Sequence, residues 1–441
     1  MSTGALPRRW TVAALFSVAL ATGCRGPTPG EAGRGAVAGD HALALAPPDG
    51  SSPTDWAIAR LEERLRDDPR QARLWVSLGE AWVRKAREAG DPALYRSADD
   101  AAEAARALSA GSPEAEAVHG FALLDAHRFL EARELARRLL QTYPGNATAL
   151  GILADALLEL GSFEEAAEAA QRMVDLKPSL PSYVRAAHLQ WLQGDVEGAL
   201  GTANLAADAG AEREPRAWVF VQVALMHWHR GELALADAAL DRALELVPEY
   251  PQALSAKGRV ALSRADFGSA AGWLERAWRR APLPETAWLL GDAREGAGSR
   301  AGAEEAYERV VRGGRAFDRR TLALFYATKG RDLEEALRLV EDERRVRDDL
   351  YTEDAYAWVL YRSGRLADAE RAADRANRLG TPDARLLYHL GAIRLARGER
   401  RKGRALLREA LRLNPAFDPT GAKEALHLLG RDGAPSAGLA R

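Results

Sequence analysis

Cys24 is the only cysteine among 441 residues, so thiol chemistry in this chain is confined to one position and internal disulfides are excluded. Arg8 and Arg9 precede an uncharged run from Trp10 to Thr22, and Ala21, Thr22 and Gly23 stand directly before the cysteine. A basic start, a short apolar run and small residues at its end read as a secretory signal. The run is too short for a comfortable membrane span. Removing residues 1–23 takes away two arginines and no acid, moving the net charge from −2 to −4. So small a charge gives no general pull toward nucleic acid or anionic lipid.

Other residues that could do chemistry are few. The sequence holds no glycine-rich phosphate loop, no His-Glu-x-x-His and no Gly-x-Ser-x-Gly. His227 and His229 are two apart on a predicted helix, which turns them about 200° from each other and denies them a shared metal. Asp155 and Glu159, one helical turn apart, look like paired carboxylates but read as a solvated face in a chain that is 28% charged. The cluster Arg397, Arg400, Arg401, Lys402 and Arg404 reads as a solvated face, or as a dock for a phosphate headgroup or an acidic partner. No nucleophile has a base at readable spacing. The expectation is no catalytic residue, no metal and no cofactor.

The elements behind these residues are set by a period. Gly161, Gly194, Gly231, Ala265, Gly298, Gly330, Gly364 and Gly398 recur at steps of 32 to 37 residues. Ala166, Ala199, Ala236, Ala270, Ala303 and Ala369 follow five places later, and Pro178, Pro248, Pro282 and Pro415 seventeen places later. Glycine takes positive φ and turns the chain between two helices. A small alanine lets the second helix approach the first, and proline stops the second helix. Alanine, leucine, arginine and glutamate fill the rest, with apolar residues at helical spacing as in Leu150, Leu153, Ala154, Leu157 and Leu158. Such a period marks a solenoid.

The pattern resembles the tetratricopeptide repeat (TPR) family. Trp75, Leu78, Gly79 and Trp82 carry the resemblance, with Leu160, Gly161, Phe163 and Ala166, and then Gly231, Ala236, Ala243, Leu244 and Pro248. It implies an all-α, right-handed superhelical solenoid of about ten helix–turn–helix repeats. Departures fall at an insertion near 89–95, a turn at Arg128 and Phe129 that lacks glycine, a lengthened stretch through Glu214 and Pro215, and an unclear register from Arg312 to Thr321. The N-terminus resembles a bacterial lipoprotein signal, although Ala21 stands where the pattern favours leucine. That implies cleavage before Cys24 and acylation of its thiol. Arg8 and Arg9 also leave twin-arginine export open. The resemblance places the protein in the bacterial cell envelope, lipid-anchored with the solenoid in the periplasm. Arg25 after the cysteine favours the outer membrane over the inner.

The expected organisation is a signal peptide at 1–23, a flexible lipid-anchored tether at 24–53, a solenoid with capping helices at 54–430 and a disordered tail at 431–441. The tether is rich in Gly, Pro, Ala and Ser, cannot bury enough apolar surface to fold, and spans roughly 30 Å as a coil. Thr54 and Asp55 are expected to cap a first helix from Trp56. A last helix, Gly421 to Leu429, covers the final repeat with Ala425, Leu426, Leu428 and Leu429.

In this family the first helices of the repeats line a concave groove for extended peptides. Trp191, Trp218, Trp228, Trp288 and Trp358 fall on first helices, joined by Tyr361 and Tyr388. They are the expected partner-binding aromatics, or else fillers between repeats. The favoured function is a non-catalytic, lipid-anchored scaffold for an unidentified protein or peptide partner, serving a secretion, pilus or polysaccharide-export complex. A glycan- or lipid-binding module is the alternative, and an enzyme with a site assembled across repeats a third reading.

Overall fold

The computed structural model describes residues 41–430; the signal, Cys24, the start of the expected tether and the tail from 431 lie outside the described residues. Helix α1 (Pro53–Asp67) opens the array. Ten hairpins follow: α2 (Ala72–Ala89) with α3 (Tyr95–Leu108), α4 (Pro113–Asp125) with α5 (Phe129–Thr142), α6 (Ala147–Glu159) with α7 (Phe163–Leu176), α8 (Leu180–Leu192) with α9 (Val196–Ala209), and α10 (Arg213–His229) with α11 (Leu233–Leu246). Then come α12 (Pro251–Ser263) with α13 (Phe267–Arg280), α14 (Pro284–Gly296) with α15 (Arg300–Phe317), α16 (Arg319–Lys329) with α17 (Leu333–Glu343), α18 (Leu350–Arg362) with α19 (Leu366–Ala376), and α20 (Ala384–Ala396) with α21 (Arg400–Leu413). Helix α22 (Gly421–Gly430) closes it. No strand occurs among the described residues.

The punctuation works as its chemistry demands. The turn glycines take positive φ, as in Gly161 (72°), Gly194 (83°) and Gly231 (72°), and Ala265 takes the same role at φ 56°. In the second repeat His127 supplies the left-handed residue, at φ 57°. The six periodic alanines are buried, five of them completely. The insertion is absorbed by Gly90 and a 3₁₀ turn, Pro92–Leu94. The unclear register resolves because α15 runs on to Phe317 and meets α16 across Asp318 alone.

Three expectations at the ends are corrected. Residues 41–52 do not hang free: Ala44 is fully buried, its carbonyl accepts the indole N–H of Trp82 at 2.9 Å, and its N–H donates to Asp100 at 2.8 Å. His41 reaches the other Asp100 oxygen at 2.7 Å. A few well-placed bonds dock the segment although its composition gives it no core. The cap of α1 is Ser52 rather than Thr54; Ser52 and Asp55 form a reciprocal capping box. In α22, Ala422 and Ala425 face inward, whereas Leu426 points to solvent.

The superhelix closes on itself. The turn of the third repeat meets the connector that follows the eighth: the Asp348 N–H donates to the Glu159 carbonyl at 2.8 Å. The fourth meets the connector after the ninth, where the Thr381 hydroxyl donates to the Leu192 carbonyl at 2.6 Å. The fifth meets the connector after the tenth, where Asn414 donates its amide to the Trp228 carbonyl at 2.7 Å. Repeat n thus touches the connector after repeat n + 5, along a seam that uses carbonyls at first-helix C-termini, where the helix leaves acceptors to spare. At the other end, Gly90 packs against Pro251 and Ala281, and Gln252 donates to the Arg87 carbonyl at 3.3 Å.

Candidate functional site: the interior of the superhelix

The first helices line the inside of the closed coil, and the space they leave forms chambers. The larger is a cavity of ≈ 510 Å³. Its apolar wall includes Leu158, Leu180, Val184, Leu189 and half-buried Trp218. Polar groups converge on it from both superhelical turns. Arg185 grips Asp155 with two bonds, of 2.8 and 2.5 Å. The Tyr250 hydroxyl donates to Glu214 at 2.6 Å, and burial holds the Glu214 carboxyl above its ordinary range. His188 is pushed toward its neutral form, also by burial. An apolar cavity of a few hundred cubic ångströms with a few convergent polar groups is the usual form of a binding site.

The smaller chamber, ≈ 360 Å³, lies between α10, α12, α14, α16, α18 and α20 and is roofed by Ala416 to Pro419. Arg259, Arg320 and Arg385 face it, with Glu285, Tyr351 and Trp228. Arg259 donates to Glu285 at 2.7 Å and lies over the Trp228 ring, 5.0 Å from its centroid. The positive field of Arg259, reinforced by Arg385 and Arg320, holds the Glu285 carboxyl below the usual range against the opposing effect of burial.

A third recess, ≈ 320 Å³, gathers Asp125, His127, Asp155, Glu159 and Arg347 beside the seam. Burial, then the charge of Asp91, raises Asp125 to about 7. Burial, then Arg347, lowers His127 to about 4. Arg347 pairs with Glu159 at 3.3 Å and Glu343 at 2.9 Å, and its guanidinium meets His127 Nε2 at 2.8 Å.

Most of the expected groove aromatics are not exposed. Trp191, Trp228, Trp288, Trp358 and Tyr388 are buried, Trp358 at 1% exposure. The seam accounts for two of them. Trp191 packs with Leu350 and Leu386 of the second superhelical turn. Trp228 donates to the Ser263 hydroxyl at 2.8 Å, which in turn donates to the Ala416 carbonyl at 2.9 Å. Trp358 stacks on His389 at 4.0 Å, with half-buried Tyr361 at 5.0 Å and Tyr388 at 5.3 Å. Trp288 meets Phe325 edge-on. These side chains fill space between repeats. Trp218 is the one of the set that combines partial exposure with the larger chamber.

Other expectations shift too. Asp155 and Glu159 are not a solvated pair; both are held by arginines and face the interior. His227 bonds Glu232 at 2.7 Å, while His229 lies between the rings of Trp191 and Trp228. In the C-terminal basic cluster Arg397 pairs with Glu370, Lys402 with Glu399, and Arg404 donates to the Leu429 carbonyl, while Arg400 and Arg401 face solvent. Trp56, at 60% exposure, is the most open tryptophan among the described residues, on the outer face of α1. The three interior arginines stand on first helices two repeats apart. Only their common place on first helices could have signalled them in sequence.

Among the described residues no group of three His, Asp or Glu could hold a metal ion, and no helix is long and apolar enough to cross a membrane. Comparison with known proteins bears on the family. Residues 118–181 and 224–283 match the tetratricopeptide-repeat family model. No curated protein matches the chain. Among solved structures it is similar to a chain of the APC/C hetero-tetramer Cut9–Hcn1, with 15% identity over 79% of this chain and 61% of that one, TM-score 0.49. It therefore spans about three-fifths of that chain's length. It is also similar to the human IFIT1 dimer with PPP-AAAA, with 18% identity over 86% of this chain and 94% of that one, TM-score 0.46. A third similar structure is PilW, a type IV pilus biogenesis factor, with 16% identity over 43% of this chain and 88% of that one, TM-score 0.38. With the family matched in two stretches and the hairpin carried in register through ten pairs, the chain carries tetratricopeptide repeats within an all-α helical-repeat solenoid.

Proposed function

We propose that this repeat protein is a non-catalytic scaffold that holds an extended segment of a protein partner inside its superhelix. Repeats of this kind serve protein–protein interaction. The observation that carries the placement is the ≈ 510 Å³ chamber, where Trp218 offers a half-open ring between an apolar wall and the Asp155–Arg185 pair. A rigid aromatic beside an apolar pocket is the usual anchor of an interface. We further propose that Cys24 carries a lipid and tethers the scaffold in the bacterial envelope, with the solenoid in the periplasm and the outer membrane favoured, for assembly of a secretion, pilus or polysaccharide-export complex.

The size of the chamber favours a second reading. Its volume lies within the roughly 300–1,000 Å³ of small-molecule sites, which suits a glycan or a lipid. Crosslinking of the full chain in its host, beside a Trp218→Ala variant, separates the two. A small set of envelope proteins captured by the wild type and lost in the variant supports the scaffold. Capture unchanged by the variant moves the interaction out of the chamber. Capture abolished by a soluble oligosaccharide supports the second reading. Radiolabelled fatty acid incorporated by the wild type but not by Cys24→Ser checks the anchor.

A further inference from the structure

The smaller chamber carries more charge chemistry than packing needs. Three first helices, α12, α16 and α20, each bring one guanidinium to it: Arg259, Arg320 and Arg385. The acids of its wall are mostly engaged elsewhere. Asp318 caps α16 through the Thr321 N–H at 3.1 Å, and Asp383 caps α20 through the Arg385 N–H at 2.9 Å. Asp292 is held by Lys329 at 2.8 Å, and Asp418 caps α22. Glu285 is the exception. It reaches into the chamber with 55% of its side chain exposed and takes a single close bond, from Arg259.

The other two arginines are left short of partners. Arg320 approaches Asp349 at 3.3 and 3.5 Å, but that carboxylate already accepts from the Tyr351 and Thr352 N–H groups and the Thr352 hydroxyl. The Nε of Arg385 is buried without a hydrogen bond, and Asp354 Oδ2 lies 4.0 Å away. A guanidinium presents a fork of donors matched to a carboxylate, and the match strengthens where water is scarce. The nearby Asp292, Asp318, Asp383 and Asp418 disfavour a doubly charged anion and leave room for single negative charges.

We propose that Arg259, Arg320 and Arg385 form a binding site for the acidic side chains of an extended peptide, and that Glu285 occupies this site as an internal competitor. An incoming carboxylate takes the open donors of Arg320 and Arg385 and contends with Glu285 for Arg259. The proposal rests on the reading that the partner enters the interior, and it gives that partner a chemistry.

The test is fluorescence anisotropy with the full chain and a labelled ten-residue glutamate–glycine peptide at fixed ionic strength, beside its glutamine–glycine counterpart. The expected result is that the glutamate peptide binds and the glutamine peptide does not. Glu285→Gln, which removes the competitor's charge, should tighten binding several-fold. Arg320→Ala with Arg385→Ala should weaken it at least tenfold, with a thermal melt confirming that the variant folds. Equal binding of the two peptides overturns the proposal, as does no binding by either the wild type or Glu285→Gln. Weakening by Glu285→Gln, or inorganic phosphate displacing the peptide as well as free glutamate peptide does, also overturns it. Peptide binding that Trp218→Ala abolishes but the arginine variant leaves intact keeps the interior reading and overturns this site.

Discussion

The carbonyl oxygen of Asp348 lies 2.6 Å from the point a Cβ on Gly161 would occupy, while the N–H of Asp348 donates to the carbonyl of Glu159, two residues earlier. One residue of a late connector thus clasps an early turn from both sides. The turn glycines of the late repeats, Gly364 and Gly398, have equally positive φ but nothing within 4 Å of a Cβ.

This difference separates two uses of glycine. Replacing either Gly161 or Gly364 by alanine costs about 1–2 kcal/mol for the left-handed backbone. Gly161→Ala must also push the connector away, adding about 1–3 kcal/mol. Urea unfolding of the two variants should therefore show Gly161→Ala as clearly the less stable. Equal losses would mean that the seam gives way at no cost.

Asn414 is 1% exposed, and both ends of its amide are used: the nitrogen bonds the Trp228 carbonyl and the oxygen accepts the Ala416 N–H at 2.9 Å. Asn414→Ala leaves the Trp228 carbonyl with the Gly231 N–H alone and strips the Ala416 N–H of its acceptor, at a cost of about 1–3 kcal/mol. Hydrogen exchange should speed up in residues 414–420 and α22, which rest on that anchor, and stay unchanged in α2 and α3.

The tryptophans divide by environment. Trp358→Ala removes a fully packed ring and should destabilise the chain by about 3–5 kcal/mol. Trp218→Ala acts on a half-open wall and should cost markedly less, while reducing partner capture. Denaturant midpoints for the two, set beside the crosslinking yields, check the division.

Two groups beside the seam titrate in opposite directions. His127, lowered to about 4, stays neutral in the fold while the unfolded chain takes up a proton. Its contribution is present above pH 6.5 and is lost as pH falls from there toward 4. Asp125, raised to about 7, holds its proton in the fold, so its ionisation costs stability as pH rises from 4 to 7. Melting temperatures from pH 4 to 8 should show His127→Gln losing less stability than the wild type on acidification. Asp125→Asn should raise the melting temperature at pH 8 and leave it almost unchanged at pH 4.

The hairpins are legible in the residues alone, because their rules are local. Gly161, Gly194 and Gly231 turn the chain through their own φ, Ala265 does so where glycine is missing, and Ala166 or Ala270 lets two neighbouring helices close up. The family, the count of repeats and α22 follow from that repetition. The N-terminal segment was not legible, since the bonds from Ala44 and His41 to Trp82 and Asp100 bridge dozens of residues with no pattern between them. The tertiary structure alone decided the seam. Small rotations at each repeat interface accumulate over five repeats, and only their sum sets which turn meets which connector. That sum buried Trp191 and Trp228, aimed Asp155 and Glu159 inward, and brought Arg259, Arg320 and Arg385 around one chamber. A side chain's place on a first helix is written in the sequence; whether that helix faces solvent, another turn of the coil or an enclosed cavity is a property of the closed superhelix.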